Sequence, residues 1–149
     1  MSIVYTGGTF DIFHLGHANL LTHCRKIAGE GGRVIVGLNT DAFIREFKGK
    51  DPVNNYASRE RVLRDSRNVD LVIANKTGSD SKPTILKAVT YYEKFYQRFV
   101  VIGTDWAVKD YYKQMDFTQQ WLDENWITLC YVPYTEGLSS SQLRLALLD

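Results

Sequence analysis

Two imidazoles, His14 and His17, stand three residues apart just after the segment Gly7-Gly8-Thr9-Phe10-Asp11. At that spacing on a helix both rings lie on one face and can touch one ligand together, and Gly16 between them keeps the face open. An imidazole can donate a hydrogen bond or carry a proton near neutral pH, which suits it to stabilising charge that builds on a phosphoryl oxygen. Zinc is the rival chemistry. Closed zinc sites take four ligands, and neither His23 nor the isolated Cys24 and Cys130 supplies a familiar spacing. The bland reading is a pair of capping or core histidines, against which the neighbouring glycines, Thr9 and Asp11 weigh.

Positioning this pair requires a strand, a turn and a helix. The apolar run Ile3 to Tyr5 predicts a strand that stops at Gly7-Gly8, and Leu15, Ala18, Leu21, Cys24 and Ile27 follow with helical period. Glycines without side chains let a backbone approach phosphate oxygens, and the free N–H groups and positive end of the next helix attract negative charge. Thereafter strands and helical segments alternate. Arg33 to Asn39 reads as a second buried strand. Thr40 or Asn39 caps a short helix that ends in the breaker-rich Lys48-Gly49-Lys50-Asp51-Pro52. A helix near Ser58 leads to a third strand, Val69 to Ala74, and then to a polar loop, Asn75 to Lys82, the best candidate for a mobile segment. Pro83 opens a helix through Ile85, Leu86, Val89, Tyr92 and Tyr96. Arg98 to Ile102 is a fourth strand, a helix runs through Tyr111, Met115 and Leu122, Ile127 to Val132 is the last strand, and Ser139 to Leu148 is a closing helix. Such alternation implies βαβ units and a parallel sheet covered on both faces, hence an α/β, Rossmann-like fold whose ligands bind beyond the carboxyl ends of the strands.

The 149 residues suit a single domain, 1–149, with a sizeable core. Apolar residues make up 44% and charged residues 23%, as in a globular protein. A net charge of +1 argues against a general polyanion-binding surface, so no nucleic-acid partner is expected and any phosphate preference must be local. Neither a secretory leader nor an apolar run approaching a membrane span is visible, and a cytoplasmic location without membrane insertion is the expectation. Cys24 and Cys130 read as small apolar residues, with neither a disulfide nor catalysis assigned to them.

The run Gly8-Thr9-Phe10-Asp11, then His14, Gly16 and His17, resembles the Gly-Thr-Phe-Asp-x-x-His-x-Gly-His signature of the cytidylyltransferase family of nucleotidyltransferases. The resemblance covers most of the chain. It implies a doubly wound, five-stranded parallel sheet of order 3-2-1-4-5 with helices on both faces, which sets the first and fourth loops side by side. It also implies a reaction: a phosphate oxygen of a phosphorylated alcohol attacks the α-phosphorus of CTP in line and pyrophosphate leaves. His14 and His17 would stabilise the transferring group, the backbone from Gly8 to Phe10 would hold phosphates, and Asp11 would orient the loop. Mg²⁺ would be held by the triphosphate rather than by direct side-chain ligation.

Further segments carry the likeness. Lys48, Lys50 and Arg59 form a basic group which charge alone would leave as solvated surface. Its pattern is similar to that of the glycerol-3-phosphate branch of the family, which implies acceptor binding by all three, a catalytic share for Lys50, and CDP-glycerol as product. Gly103-Thr104-Asp105-Trp106 resembles a Gly-Asp-Asp-Trp loop, with Thr104 replacing an aspartate. Nucleotide contacts are therefore implied at Gly103, Asp105 and Trp106. Thr135-Glu136-Gly137-Leu138-Ser139-Ser140-Ser141 resembles the second signature, Arg-Thr-Glu-Gly-Ile-Ser-Thr-Thr, with Tyr134 replacing its arginine. That implies nucleotide contacts at Thr135, Gly137, Leu138, Ser139 and Ser140, and Arg144 is the cation expected to cover the phosphate that an arginine at 134 would meet. Arg67-Asn68-Val69-Asp70 resembles the segment that enters strand three and contributes to subunit contacts, which implies a homodimer. An adenylyltransferase, another acceptor such as phosphocholine, phosphoethanolamine or a sugar phosphate, and a nucleotide-binding regulator without turnover are the other readings.

Overall fold

The computed structural model describes residues 1–76, 80–92, 97–104 and 115–133, with the side chain of residue 104 left aside. Along the chain these residues form β1 (Ser2–Gly8), α1 (Leu15–Ala28), β2 (Arg33–Asn39), α2 (Asp41–Lys48), α3 (Tyr56–Arg64), β3 (Leu71–Asn75), α4 (Lys82–Val89), β4 (Gln97–Thr104), α5 (Gln119–Glu124) and β5 (Ile127–Pro133). The five strands make one sheet, all parallel, in the expected order β3-β2-β1-β4-β5. Parallel strands buried on both faces read as unbroken apolar runs, and the side chains of Val34-Ile35-Val36 alternate between two layers. Ile3, Tyr5, Ile35, Ile73 and Val100 pack with Ile85 and Val89 of α4 and with Leu122 of α5 on one face. On the other, Val4, Val34 and Val101 pack against Cys24 and Ala28 of α1, and Val36, Leu38 and Val72 against Leu21 of α1 and Leu63 of α3. Both cysteines are free. Burial pushes the Cys24 thiol up to about 12, so it acts as a small apolar side chain.

Several boundaries differ from the expected ones. β1 continues through both glycines. α3 starts two residues before Ser58 because Asn55 caps it, its Oδ1 accepting from the Ser58 N–H at 2.9 Å. The helix opened by Pro83 ends at Val89, short of the tyrosines. There Tyr92 packs against the core with the Arg33 guanidinium 5.4 Å from its ring centroid. The expected helix through Met115 to Leu122 breaks at Asp116, whose φ of 57° is left-handed, and Thr118 starts α5 afresh by accepting from Trp121 N–H at 3.1 Å. The middle of the polar loop expected to be mobile, the end of the Pro83 helix pattern, and the closing helix lie outside the described residues.

Tyr5 is wholly buried, its ring filling the space above Gly7 and Gly37 of neighbouring strands. A Cβ on Gly7 would come within 2.7 Å of the Tyr5 hydroxyl, and one on Gly37 would overlap it. The hydroxyl has no hydrogen-bond partner among the described residues, and burial raises its pKa.

Candidate active site

The site is built where β1 hands over to α1. Gly7 and Gly8 were expected to make the turn, yet they are strand residues, and Gly7 leaves room for Tyr5 rather than for a turn. The turn falls instead on Phe10 (φ 50°) and Ile12 (φ 46°), side-chain-bearing residues in the left-handed region. Each such residue costs about 1–3 kcal/mol, so other contacts must hold the loop. Phe10 contributes through its ring, buried against Leu21, Leu38 and Leu63. Asp11, itself buried, contributes through its carboxylate. Its Oδ2 accepts from Val53 N–H at 2.6 Å, and its Oδ1 accepts from Asn54 N–H at 2.9 Å and Ile12 N–H at 3.1 Å. The signature aspartate therefore clamps the first loop to the segment that follows α2.

His14 is the N-cap of α1. Its Nδ1 accepts from Gly16 N–H at 3.0 Å, and His17 Nδ1 accepts from the His14 N–H at 3.2 Å, a capping box built from two imidazoles. The capping reading and the chemical reading are thus compatible, because they use opposite nitrogens. With Nδ1 accepting a backbone hydrogen bond, a neutral ring carries its proton on Nε2. The rings stack with centroids 3.9 Å apart, and His17 is further enclosed by Phe10 at 5.2 Å and Phe13 at 5.3 Å. Burial pushes the His17 pKa down to about 4, helped by the neighbouring His14 and opposed by Asp11; burial also lowers that of His14. At neutral pH the pair consequently presents two neutral Nε2–H donors, set in geometry by the backbone and placed at the positive end of a helix.

The basic group divides. Arg59 was expected to meet an acceptor, but its side chain is only 1% exposed and serves the chain itself. Its Nε donates to Asn54 O at 2.9 Å, its Nη1 to Thr9 O at 2.8 Å and Asn39 O at 2.9 Å, and its Nη2 to Asp41 Oδ1 at 2.6 Å. A planar fork of donors can gather carbonyls from three loops at once, a geometry that charge counting does not reveal. Lys48 ends α2 and Lys50 follows Gly49, whose φ of 72° closes that helix; both lysines are exposed. Their loop is fastened at one end by Arg45 Nε to Asp51 Oδ1 at 2.7 Å and at the other by the Asp11 clamp. Asp70 at the opposite edge of the sheet binds Arg25 at 2.6 Å and accepts from Val34 N–H at 2.8 Å, so it joins α1, β2 and β3 within one chain.

Sequence reasoning missed Asn39, Asp41, Asn54 and Asn75 as members of the site's frame. The only available signal was their place, Asn39 and Asn75 at strand ends, Asp41 at the start of α2 and Asn54 just before α3, where asparagine and aspartate are also ordinary loop and cap residues. Gly103 lies in β4 beside β5, paired with Val132. Asp105, Trp106, Tyr134, Thr135, Gly137, Leu138, Ser139, Ser140 and Arg144 lie outside the described residues. Among the described residues no group of three or more histidine, cysteine or acidic side chains could hold a metal. No helix there is long and apolar enough to cross a membrane.

Comparison with known proteins agrees with this architecture. The chain is 31% identical over 144 residues to the glycerol-3-phosphate cytidylyltransferase of Staphylococcus aureus, covering 97% of this chain and 93% of that protein. It is 32% identical over 144 residues to the enzyme of the same name from Bacillus spizizenii, covering 97% and 95%. A shorter stretch of 73 residues is 44% identical to the bifunctional protein HldE of Actinobacillus succinogenes, covering 48% of this chain and 15% of that protein. The crystal structure of a lipopolysaccharide core biosynthesis protein from Thermoplasma volcanium superposes with a TM-score of 0.65 at 25% identity, over 91% of this chain and 97% of that one. The cytidylyltransferase-like family model matches residues 5–146, and with the parallel 3-2-1-4-5 sheet and the histidine pair in place, the chain belongs to the cytidylyltransferase-like family of nucleotidyltransferases.

Proposed function

We propose that the protein transfers CMP from CTP to glycerol 3-phosphate, giving CDP-glycerol and pyrophosphate. The observation that carries this reading is the pair of Nε2–H donors at the start of α1, within a chain that matches two glycerol-3-phosphate cytidylyltransferases over nearly its whole length. A phosphate oxygen of the acceptor forms a bond to the α-phosphorus of CTP while the bond from that phosphorus to the bridging oxygen breaks, and the electron pair leaves with pyrophosphate. No covalent enzyme intermediate is needed. Catalysis is positioning and charge stabilisation: His14 and His17 donate to oxygens of the transferring group, and backbone N–H groups from Gly8 to Phe10 hold phosphates. Lys48 and Lys50 attract the acceptor's phosphate, while Arg59 acts through the loops it ties. Mg²⁺ supplies charge neutralisation on the triphosphate. The donor set suits that arrangement, since Asp11 directs its carboxylate at backbone N–H groups. Thr135 to Ser140, Gly103, Asp105 and Trp106 complete the nucleotide contacts in this reading, with Arg144 as the phosphate clamp in place of an arginine at 134. Assembly is as a homodimer, in the cytoplasm.

The test is a screen of CTP and ATP against a panel of phosphorylated alcohols, read as pyrophosphate release. Turnover with CTP and glycerol 3-phosphate above all other pairs is the expected result. Sugar phosphates and ATP belong in that panel because another acceptor and an adenylyltransferase are the readings nearest to this one. Preference for either would move the acceptor or the nucleotide and leave the family unchanged.

A further inference from the structure

Four side chains cross the carboxyl edge of the sheet in one hydrogen-bonded row. Thr84 Oγ1 of α4 donates to Asn75 Oδ1 at 2.9 Å, Asn75 Nδ2 donates to Asn39 Oδ1 at 2.8 Å, and Asn39 Nδ2 donates to Thr9 Oγ1 at 3.1 Å. Thr84 and Asn75 are buried, β3 and β2 carry Asn75 and Asn39, and Thr9 follows β1 directly in the loop that precedes the histidine pair. Every link donates in the same direction. A hydroxyl has one proton and two acceptor positions, so a Thr9 oxygen that accepts from Asn39 keeps its own proton for another acceptor. The main chain at the same place is fixed independently, with Arg59 holding the carbonyls of both Thr9 and Asn39.

We propose that Asn39 and Asn75 are positioning residues that set the polarity of this row so that the Thr9 hydroxyl points its proton at a phosphate oxygen of the bound nucleotide. The proposal rests on the CTP reading above. The row could also run backwards with the same atoms: turning both amides over would make Asn39 accept from Thr9, and the ligand would then face an oxygen without a proton. An amide can serve either polarity, whereas a carboxylate can only accept. Polarity is therefore what a near-isosteric exchange changes. In Asn75→Asp the new carboxylate still accepts from Thr84 but cannot donate to Asn39. The Asn39 amide then turns to donate to it, and the Asn39 carbonyl takes the Thr9 proton.

The experiment is a double-mutant cycle read by calorimetric CTP binding in the presence of Mg²⁺ and by the KM for CTP, with thermal melting as the check on folding. Asn75→Asp is expected to weaken CTP binding by roughly tenfold to a hundredfold, the size of a lost hydrogen bond to a charged group. Thr9→Val should weaken it similarly, and Asn75→Asp added to Thr9→Val should cost nothing further; Thr9→Ser should retain the wild-type response to Asn75→Asp. An equal loss from Asn75→Asp in both Thr9 backgrounds would mean the new charge or a packing defect acts on its own, and would overturn the proposal. So would unchanged CTP affinity in Asn75→Asp. If that variant does not fold, Asn39→Asp, which still accepts from Asn75 but also only accepts from Thr9, is read in the same cycle with the same outcomes. Absence of CTP binding by the wild-type protein would overturn both this inference and the CTP reading. Normal CTP turnover with an additive cycle would overturn the inference alone.

Discussion

The two edges of the sheet are each tied by an arginine and an aspartate, and they are tied for different purposes. At the carboxyl edge Arg59 is buried and gathers the carbonyls of Thr9, Asn39 and Asn54 together with the Asp41 carboxylate. At the amino edge Asp70 is the hub, meeting Arg25 at 2.6 Å, Arg33 at 3.5 Å and the Val34 N–H, with all three charged side chains partly open to water. Partly solvated ion pairs gain little, since water competes for both partners. A buried guanidinium is costly unless its donors are answered, and once answered it fixes whatever answers it. Here it fixes irregular loops, those holding two left-handed residues and the exposed lysines. The carboxyl edge, where the proposed function places the substrate, is therefore fixed around one buried cation, while the other edge is held by partly solvated ion pairs and by strand and helix packing.

The largest effect that sharpens this contrast lies in the chemistry at the carboxyl edge. His17→Ala is expected to lower turnover by about 10²–10³, the range for removing one oxyanion-type donor, with a smaller change in CTP affinity. Steady-state pyrophosphate release checks it, and an unchanged turnover number would remove the histidine from the reaction. Arg59→Met comes next. Leaving three carbonyls and Asp41 without their donor should destabilise the fold by about 3 kcal/mol and lower the melting temperature by roughly 6–12 °C, with activity lost before the protein unfolds. Asp70→Ala should cost only about 1 kcal/mol and leave kcat untouched. If Asp70→Ala proved as harmful to turnover as Arg59→Met, the distinction between the two edges would fail. The smallest effect is in the core beneath them: Tyr5→Phe removes a buried hydroxyl without a partner among the described residues and should raise stability by up to about 1 kcal/mol, measured by denaturant unfolding.

Proton linkage gives the carboxyl edge a further signature. The folded-state pKa of His17, about 4, lies below the ordinary value of 6.5, so between those two pH values the unfolded chain binds more protons than the folded one. The stability associated with His17 is fully present above about 6.5 and is lost as pH falls towards 4. Chemical unfolding across that window should show a slope that His17→Gln flattens.

Much of this protein is legible in its sequence. Unbroken apolar runs at Ile3–Tyr5 and Val34–Val36, separated by helical periods, are what parallel strands buried on both faces require, and the signature from Gly8 to His17 marked the connection on which the stacked histidine pair and the Asp11 clamp are built. Those are local properties, carried by residues adjacent in the chain. Tertiary structure decided which atoms answer one another across it. Gly7 proved to be room for the ring of Tyr5, the turn fell on Phe10 and Ile12 because Asp11 reaches residues 53 and 54, and Arg59 turned inward because carbonyls from three loops converge on its guanidinium. Hydrogen bonds between side chains 30 and 36 residues apart, as in the row from Thr9 through Asn39 to Asn75, leave no periodicity in a sequence, because each partner is also a common loop or cap residue and only closure of the sheet brings the pair within 3 Å or so.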